Sequence, residues 1–330
     1  MTMRRAFMLQ CLTGTALALV VGPGQTQAQT AQGYPDRPIQ VIIPYAQGGA
    51  ADATIRMLAP AMGEFLGQPL VLENRTGGGA TIGAATVAQA QPNGYMVLSD
   101  ASAHTVNHAL MRNLPFDYAR DFAPIARLSV YPLLFLVPAA EPATDLTAFA
   151  AAARGRPRLA YSSAGVGSAS HLAAFLFAQQ AGLDAAHVAY RGGSQGAQAL
   201  AAGDTQFMLA SSAAGRGLVE AGRLRVLAVA GRARLPLLPA VPTVTEALPP
   251  GFELAEWSGI WAPAGTPELV LDRVAAAAGH ALGRPEMRAR MPELGMDAAG
   301  YQPRPEFERF VRDQRALMTR LAVGAGIRPE

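Results

Sequence analysis

Three times in this chain a short apolar run gives way to a glycine-rich loop and then to a helical pattern, and that repetition constrains the fold more than any other feature. Ile39-Gln40-Val41-Ile42-Ile43 is stopped by Pro44, and the loop Tyr45 to Ala51 carries Gly48-Gly49. Leu70-Val71-Leu72-Glu73 leads through Asn74-Arg75-Thr76 to Gly77-Gly78-Gly79. Leu159-Ala160-Tyr161-Ser162 leads to Ser163-Ala164-Gly165-Val166-Gly167-Ser168. Near-continuous apolar runs of this length read as buried parallel strands. Strands alternating with helices imply an α/β fold with helices covering the sheet. After the first loop, Ile55, Leu58, Ala59, Met62 and Phe65 share one helical face, and Gly67 is a C-terminal stop.

Further strands are expected at Tyr95 to Leu98 after the Asn93-Gly94 turn, and at Leu133 to Val137 before Pro138. Others are expected at His187 to Tyr190, Gln206 to Leu209, Leu224 to Ala230 and Trp257 to Trp261. One helix starts at Asp145, and another near Ala169 carries His171 in its first turn. Pro236 to Pro250 reads as an irregular connection. Two amphipathic helices close the chain, the last with Phe307, Phe310, Val311, Leu317 and Leu321 on one face. Two strand-helix clusters therefore flank the strand near residue 135, and the strand near 258 can return the chain. This predicts two Rossmann-like lobes hinged by two crossing strands, residues 29–134 with 256–330 and residues 135–255. Ligands bind between such lobes.

The sequence starts with an address. Arg4-Arg5, the apolar stretch Leu12 to Val21 and a polar segment to Ala28 have the layout of a secretory signal, residues 1–28, cleaved after Ala28. Arg4-Arg5-Ala6-Phe7-Met8 equally resembles a twin-arginine signal. The single cysteine, Cys11, lies inside it, so the mature protein is expected in the periplasm without disulfides. The chain has no lysine, which excludes a Walker A lysine, a Schiff base and a Ser-Lys dyad. Two of its three net positive charges fall on Arg4 and Arg5, and no basic run with interleaved aromatics follows, so nucleic acid is not an expected partner.

Glycine-rich strand-to-helix loops leave backbone N–H groups unpaired and aim helix N-termini at one point, and glycine lets a ligand approach the backbone. The natural guest is an anion. A dinucleotide site does not fit. Gly165-Val166-Gly167-Ser168-Ala169-Ser170 lacks the third small residue, and Asp184 stands on an Ala-Gly-Leu turn; no cofactor is expected. Gly192-Gly193-Ser194-Gln195-Gly196 matches a nucleophile elbow, which keeps an α/β-hydrolase-like esterase using Ser194 as the alternative. Its triad would need a downstream histidine, and only His280 follows, in an alanine-rich helical run after Asp272. His104 and His108 have metal-ligand spacing, but no acidic or thiol partner is evident beside them, and no metal is expected. Tyr45, Trp257 and Trp261 are candidates for cleft or core.

A family resemblance runs through Tyr34-Pro35-Asp36-Arg37-Pro38-Ile39, Pro44 with Gly48-Gly49-Ala50-Ala51-Asp52, Glu73-Asn74-Arg75, Asn93-Gly94-Tyr95 and Asp121-Phe122-Ala123-Pro124. It continues through His171-Leu172, Gly182, His187 to Gly192, Val241-Pro242-Thr243 with Glu246, and Ala262-Pro263-Ala264-Gly265-Thr266-Pro267. Together these resemble the Bug family, periplasmic solute-binding receptors of tripartite tricarboxylate transporters. The resemblance implies a fold of periplasmic binding protein type II and a small organic carboxylate held by the first two loops. It also implies delivery to the membrane subunits of a transporter or to a sensor; a monomer is expected. Carried over, the ligand-binding positions are Ala46, Gln47, Gly48, Gly49 and Asp52, then Gly77, Gly78, Gly79 and Ala80, with Ser102 after the third strand. Ser163, Gly165, Gly167 and Ser168 face them, with His171 behind. Gln47, His108, Phe175 and Ala189 depart from the family pattern. So does Ala210, where the family often has aspartate; its loss is expected to favour a ligand without an amine, or one with more negative charge.

Overall fold

The computed structural model describes residues 33–231, 233–250, 252, 254–296, 300–324 and 327. The expected signal segment and Cys11 lie outside them. In chain order the elements are β1 (Ile39–Ile43), α1 (Ala50–Leu66), β2 (Leu70–Asn74), α2 (Thr81–Ala88), β3 (Met96–Ala101), α3 (Asn107–Leu110) and β4 (Phe122–Pro138). Then follow α4 (Leu146–Ala153), β5 (Ala160–Ser163), α5 (Ala169–Ala181), β6 (Ala186–Ala189), α6 (Gly193–Ala202), β7 (Phe207–Ser211), α7 (Ser212–Glu220) and β8 (Leu224–Val229). The chain closes with α8 (Val244–Ala247), β9 (Ala255–Pro263), α9 (Glu268–Gly283), α10 (Pro285–Glu293) and α11 (Arg304–Gly324). Among the described residues no helix is long and apolar enough to cross a membrane.

The strands follow the order β2-β1-β3-β9-β4-β7-β5-β6, with β8 also on β4. β1 pairs in parallel with β2 and β3, and β5 in parallel with β6 and β7, as the strand-loop-helix repetition predicts. The antiparallel centre is β4 and β9. From Phe122 to Pro132, β4 pairs with β9; from Leu133 onward it pairs with β7 and β8. One strand thus passes from the first half of the sheet to the second. It is far longer than the expected Leu133 to Val137. Register shifts at Pro124/Ala126 and Arg127/Ser129 disturb the alternation that would have revealed its first half.

Helix α1 buries Ile55, Leu58, Ala59 and Met62 as expected, with Leu66 taking the place assigned to Phe65. Gly67 ends it in the left-handed conformation, φ 76°. In α11 the buried residues are Phe307, Val311, Met318 and Ala322. Phe310, Leu317 and Leu321 lie half-buried at the margin of that stripe. Trp257 and Trp261 are core residues, packed with Tyr118, Phe122 and Phe307. The second half holds its own aromatic core, where Phe135 stacks on Phe207 at 5.5 Å and meets Phe177 edge-on at 4.5 Å.

Candidate ligand-binding site

The first glycine-rich loop is tied down from both ends. Gly48, at φ 82°, donates its amide to Asp52 Oδ2 at 3.0 Å. Arg56 Nε donates to both Asp52 oxygens at 2.9 Å, and Asn74 Nδ2 donates to Asp52 Oδ1 and to the Tyr45 carbonyl, each at 2.9 Å. Burial works against the charge of Asp52, but these donors outweigh it and hold the carboxyl below its ordinary range. Gly48, Arg56 and Asn74, its hydrogen-bond partners, all belong to the loop and its neighbours, so Asp52 acts as the loop's clamp. Tyr45 donates to Asp100 Oδ1 at 2.8 Å, which pins the loop to the end of β3.

The second loop turns through four left-handed residues in succession, Gly77, Gly78, Gly79 and Ala80. A side chain at Gly78 would meet Thr81 Oγ1 at 2.3 Å, so glycine is required there. Asn107 Nδ2 donates to the Gly79 carbonyl at 2.7 Å. Among the described residues the amides of Gly49, Ala50, Gly78 and Gly79 donate to no acceptor in the protein. These are the free N–H groups that glycine loops and helix N-termini offer to an anion.

The loops of the second half meet these closely. Ala46 donates its amide to the Arg191 carbonyl at 3.3 Å. Ser102 accepts the amide of Ala169 at 3.0 Å. At Gly167, φ 76°, an added Cβ would lie 2.8 to 3.0 Å from Leu110, Val106 and Asn107. Ser168 caps α5 by accepting the His171 amide at 3.2 Å and donates to the Gly165 carbonyl at 2.7 Å. Ser163 Oγ lies 2.7 Å from His187 Nε2. His171 accepts the Gly167 amide on Nδ1 at 3.1 Å, and its ring stacks on His187 at 3.7 Å and 7°. Burial pushes His171 down to about 3, helped by His187, and burial pushes His187 down to about 4. Both rings are therefore neutral near pH 7, and they brace the loop without adding charge.

Fifteen of the sixteen candidate positions lie in or beside these loops. The exception is Ala210. Its side chain packs in the apolar cluster with Leu134, Met208 and Ala197. Gln47 is exposed at the loop, and Phe175 packs against the second-half core. His104 has an acidic partner that its sequence neighbourhood did not make evident. Asp100 Oδ2 stands 3.1 Å from His104 Nδ1, one helical turn before it in sequence, while His108 is exposed beside Thr319. Burial lowers His104 despite Asp100, and its ring stacks on Trp261 at 4.1 Å. Ser194 sits in the first turn of α6 against Gly48, whereas His280 packs beside Phe65, rings 5.0 Å apart and tilted by 34°, so the two do not form a triad.

The profile of the family described as tripartite tricarboxylate transporter family receptor matches residues 54–325. A protein encoded in the tcbD-tcbE intergenic region of Pseudomonas sp. strain P51 is 37% identical over 294 residues, which is 88% of this chain and 87% of that one. The structure of Rpa4515 from R. palustris with adipate superposes with a TM-score of 0.86 at 30% identity, covering 90% of this chain and all (100%) of that one. MatC from Rhodopseudomonas palustris with bound malate gives 0.81 at 30% identity, covering 87% and 99%. The chain therefore belongs to the receptor family of the tripartite tricarboxylate transporters, as its resemblance to the Bug proteins implied.

Proposed function

We propose that this protein is a periplasmic receptor that binds one small dicarboxylate between two lobes, residues 29–134 with 256–330 and residues 135–255. The observation that carries this reading is the set of unpaired amides at Gly49, Ala50, Gly78 and Gly79, opposite the loops around Gly167 and Arg191. Adipate and malate in the related structures support a dicarboxylate. The β4 and β9 strands serve as hinge, and the ligand closes the lobes. The loaded protein then delivers its ligand to membrane subunits of a transporter or to a sensor.

A thermal-shift panel of mono-, di- and tricarboxylates and amino acids tests this. A ligand at ~100-fold its dissociation constant adds about 2.7 kcal/mol of stability. A dicarboxylate is expected to give the largest shift. A panel in which amino acids raise the melting temperature and dicarboxylates do not would overturn the reading.

A further inference from the structure

We propose that the first half of the molecule carries a separate site for one small oxyanion that keeps a hydroxyl group, hydrogencarbonate or hydrogen phosphate, held by Trp261, Arg315 and His104 in a cavity beneath α11. None of the three is among the candidate positions of the glycine-rich loops.

The cavity measures about 130 Å³ and lies between α11, the segment after β3, the start of β4 and β9. Glu308, Val311, Arg312 and Arg315 line it; their spacing of three, four and seven residues puts them on one face of α11. Tyr118, Phe122 and Trp261 supply aromatic walls, and the ring of His104 stacks on Trp261 at 4.1 Å. The volume is several times the ~30 Å³ that one water takes up in the liquid, which is room for one small oxyanion. Three of the lining side chains hold buried nitrogens with no hydrogen-bond partner among the described residues: His104 Nε2, Trp261 Nε1 and Arg315 Nε. Native structures seldom leave buried polar groups so, and here three of them belong to the lining of one cavity.

These groups define the guest. An indole N–H and a guanidinium Nε–H can only donate. Arg315 Nη2 is spent on the Tyr118 carbonyl at 3.0 Å; burial works against its charge, and Asp117 only partly offsets that. Arg312 is exposed, 3.7 Å from Asp313, and Glu308 lies 4.0 Å from Arg304, so Arg315 is the charge that the guest meets. Two donors and a guanidinium in a desolvated place suit an anion. His104 asks for something more. Asp100 Oδ1 accepts from the Tyr45 hydroxyl and the Ala101 amide, each at 2.8 Å, and His104 Nδ1 donates to Oδ2 at 3.1 Å. Burial keeps the ring neutral despite Asp100, which leaves Nε2 as an acceptor. An anion with a hydroxyl donates to Nε2 while its other oxygens accept from Trp261 and Arg315. Nitrate can only accept.

Magnetic resonance of the isotopically labelled protein tests this, because its two tryptophans, Trp257 and Trp261, give two indole N–H signals. Hydrogen phosphate, hydrogencarbonate and nitrate are titrated separately at neutral pH and constant ionic strength. The Trp261 indole proton is expected to move downfield and saturate with one of the hydroxylated anions, and the one acting at lower concentration is the guest. Trp257, which does not line the cavity, is expected to move less. Nitrate is expected to need about tenfold more, the worth of one hydrogen bond, and Arg315→Gln to weaken the hydroxylated anion by about tenfold or more. A Trp261 signal that saturates with neither hydroxylated anion overturns the proposal on the wild type alone, whether or not the variant folds. Equal midpoints for nitrate and the hydroxylated anions overturn it too, and so does an Arg315→Gln midpoint equal to that of the wild type.

Discussion

Ser102, the residue that follows β3, accepts the amide of Ala169, the first residue of α5, at 3.0 Å. This one bond joins a strand of the first half to a helix of the second, and it uses a donor that would otherwise be free at a helix N-terminus. Ser102→Ala leaves that buried N–H without a partner, at a cost of about 1–3 kcal/mol. On the two-lobe proposal, closure forms this bond, so the loss is expected in ligand affinity, roughly tenfold for 1.4 kcal/mol. Calorimetry checks it, with the melting temperature of the unliganded protein nearly unchanged.

Gly167→Ala tests the same contact sterically. The added methyl would fall within 3.0 Å of Leu110, Val106 and Asn107, on a backbone that disfavours any side chain. Overpacking of this kind costs about 1–3 kcal/mol. Affinity for the dicarboxylate is expected to drop while α5 stays folded, so unchanged circular dichroism with weakened binding is the predicted pair of results.

Asp52→Ala removes the acceptor shared by Gly48, Arg56 and Asn74. Two of these donors belong to loops that shape the site, so the variant is expected to lose both stability, by about 2 kcal/mol, and most of its binding. Denaturant unfolding measures the first and titration the second. Asp52→Asn keeps the shape but not the charge and is expected to fall between.

Acid should destabilise the protein through its stacked histidines. His171 titrates at about 3 and His187 at about 4 in the folded state, against about 6.5 unfolded. Between those values the unfolded chain binds more protons, so stability is full above pH 6.5 and is lost as pH falls toward 4. Each histidine contributes a slope of up to about 1.4 kcal/mol per pH unit. A melting series between pH 7 and 4 is expected to be steeper for the wild type than for His187→Gln.

Much of this fold was legible because parallel strands with glycine-rich exits leave a local signature. Ile39 to Ile43 and its loop could be read residue by residue, and so could the cap at Gly67. The first half of β4 was hidden because Pro124, Arg127 and two register shifts break its alternation. The site was legible in its loops but not in what braces them. Asp100 sits four residues before His104, a spacing that could have marked the pair, but nothing local announces that Tyr45 reaches it across 55 residues of sequence. At Ala210 the strand-end position says nothing about which face of β7 it occupies; that face is packed by Leu134 and Met208.

On the proposed function, a ligand carboxylate rests on the free amides of the two first-half loops. The most direct measurement is the amide proton shifts of the isotopically labelled protein as adipate is added. Gly49, Gly78 and Gly79 are expected to move downfield together, saturating at one adipate per protein, while Gly63 and Gly67 at the far end of α1 stay in place. Saturable binding that leaves those three amides unmoved would contradict it.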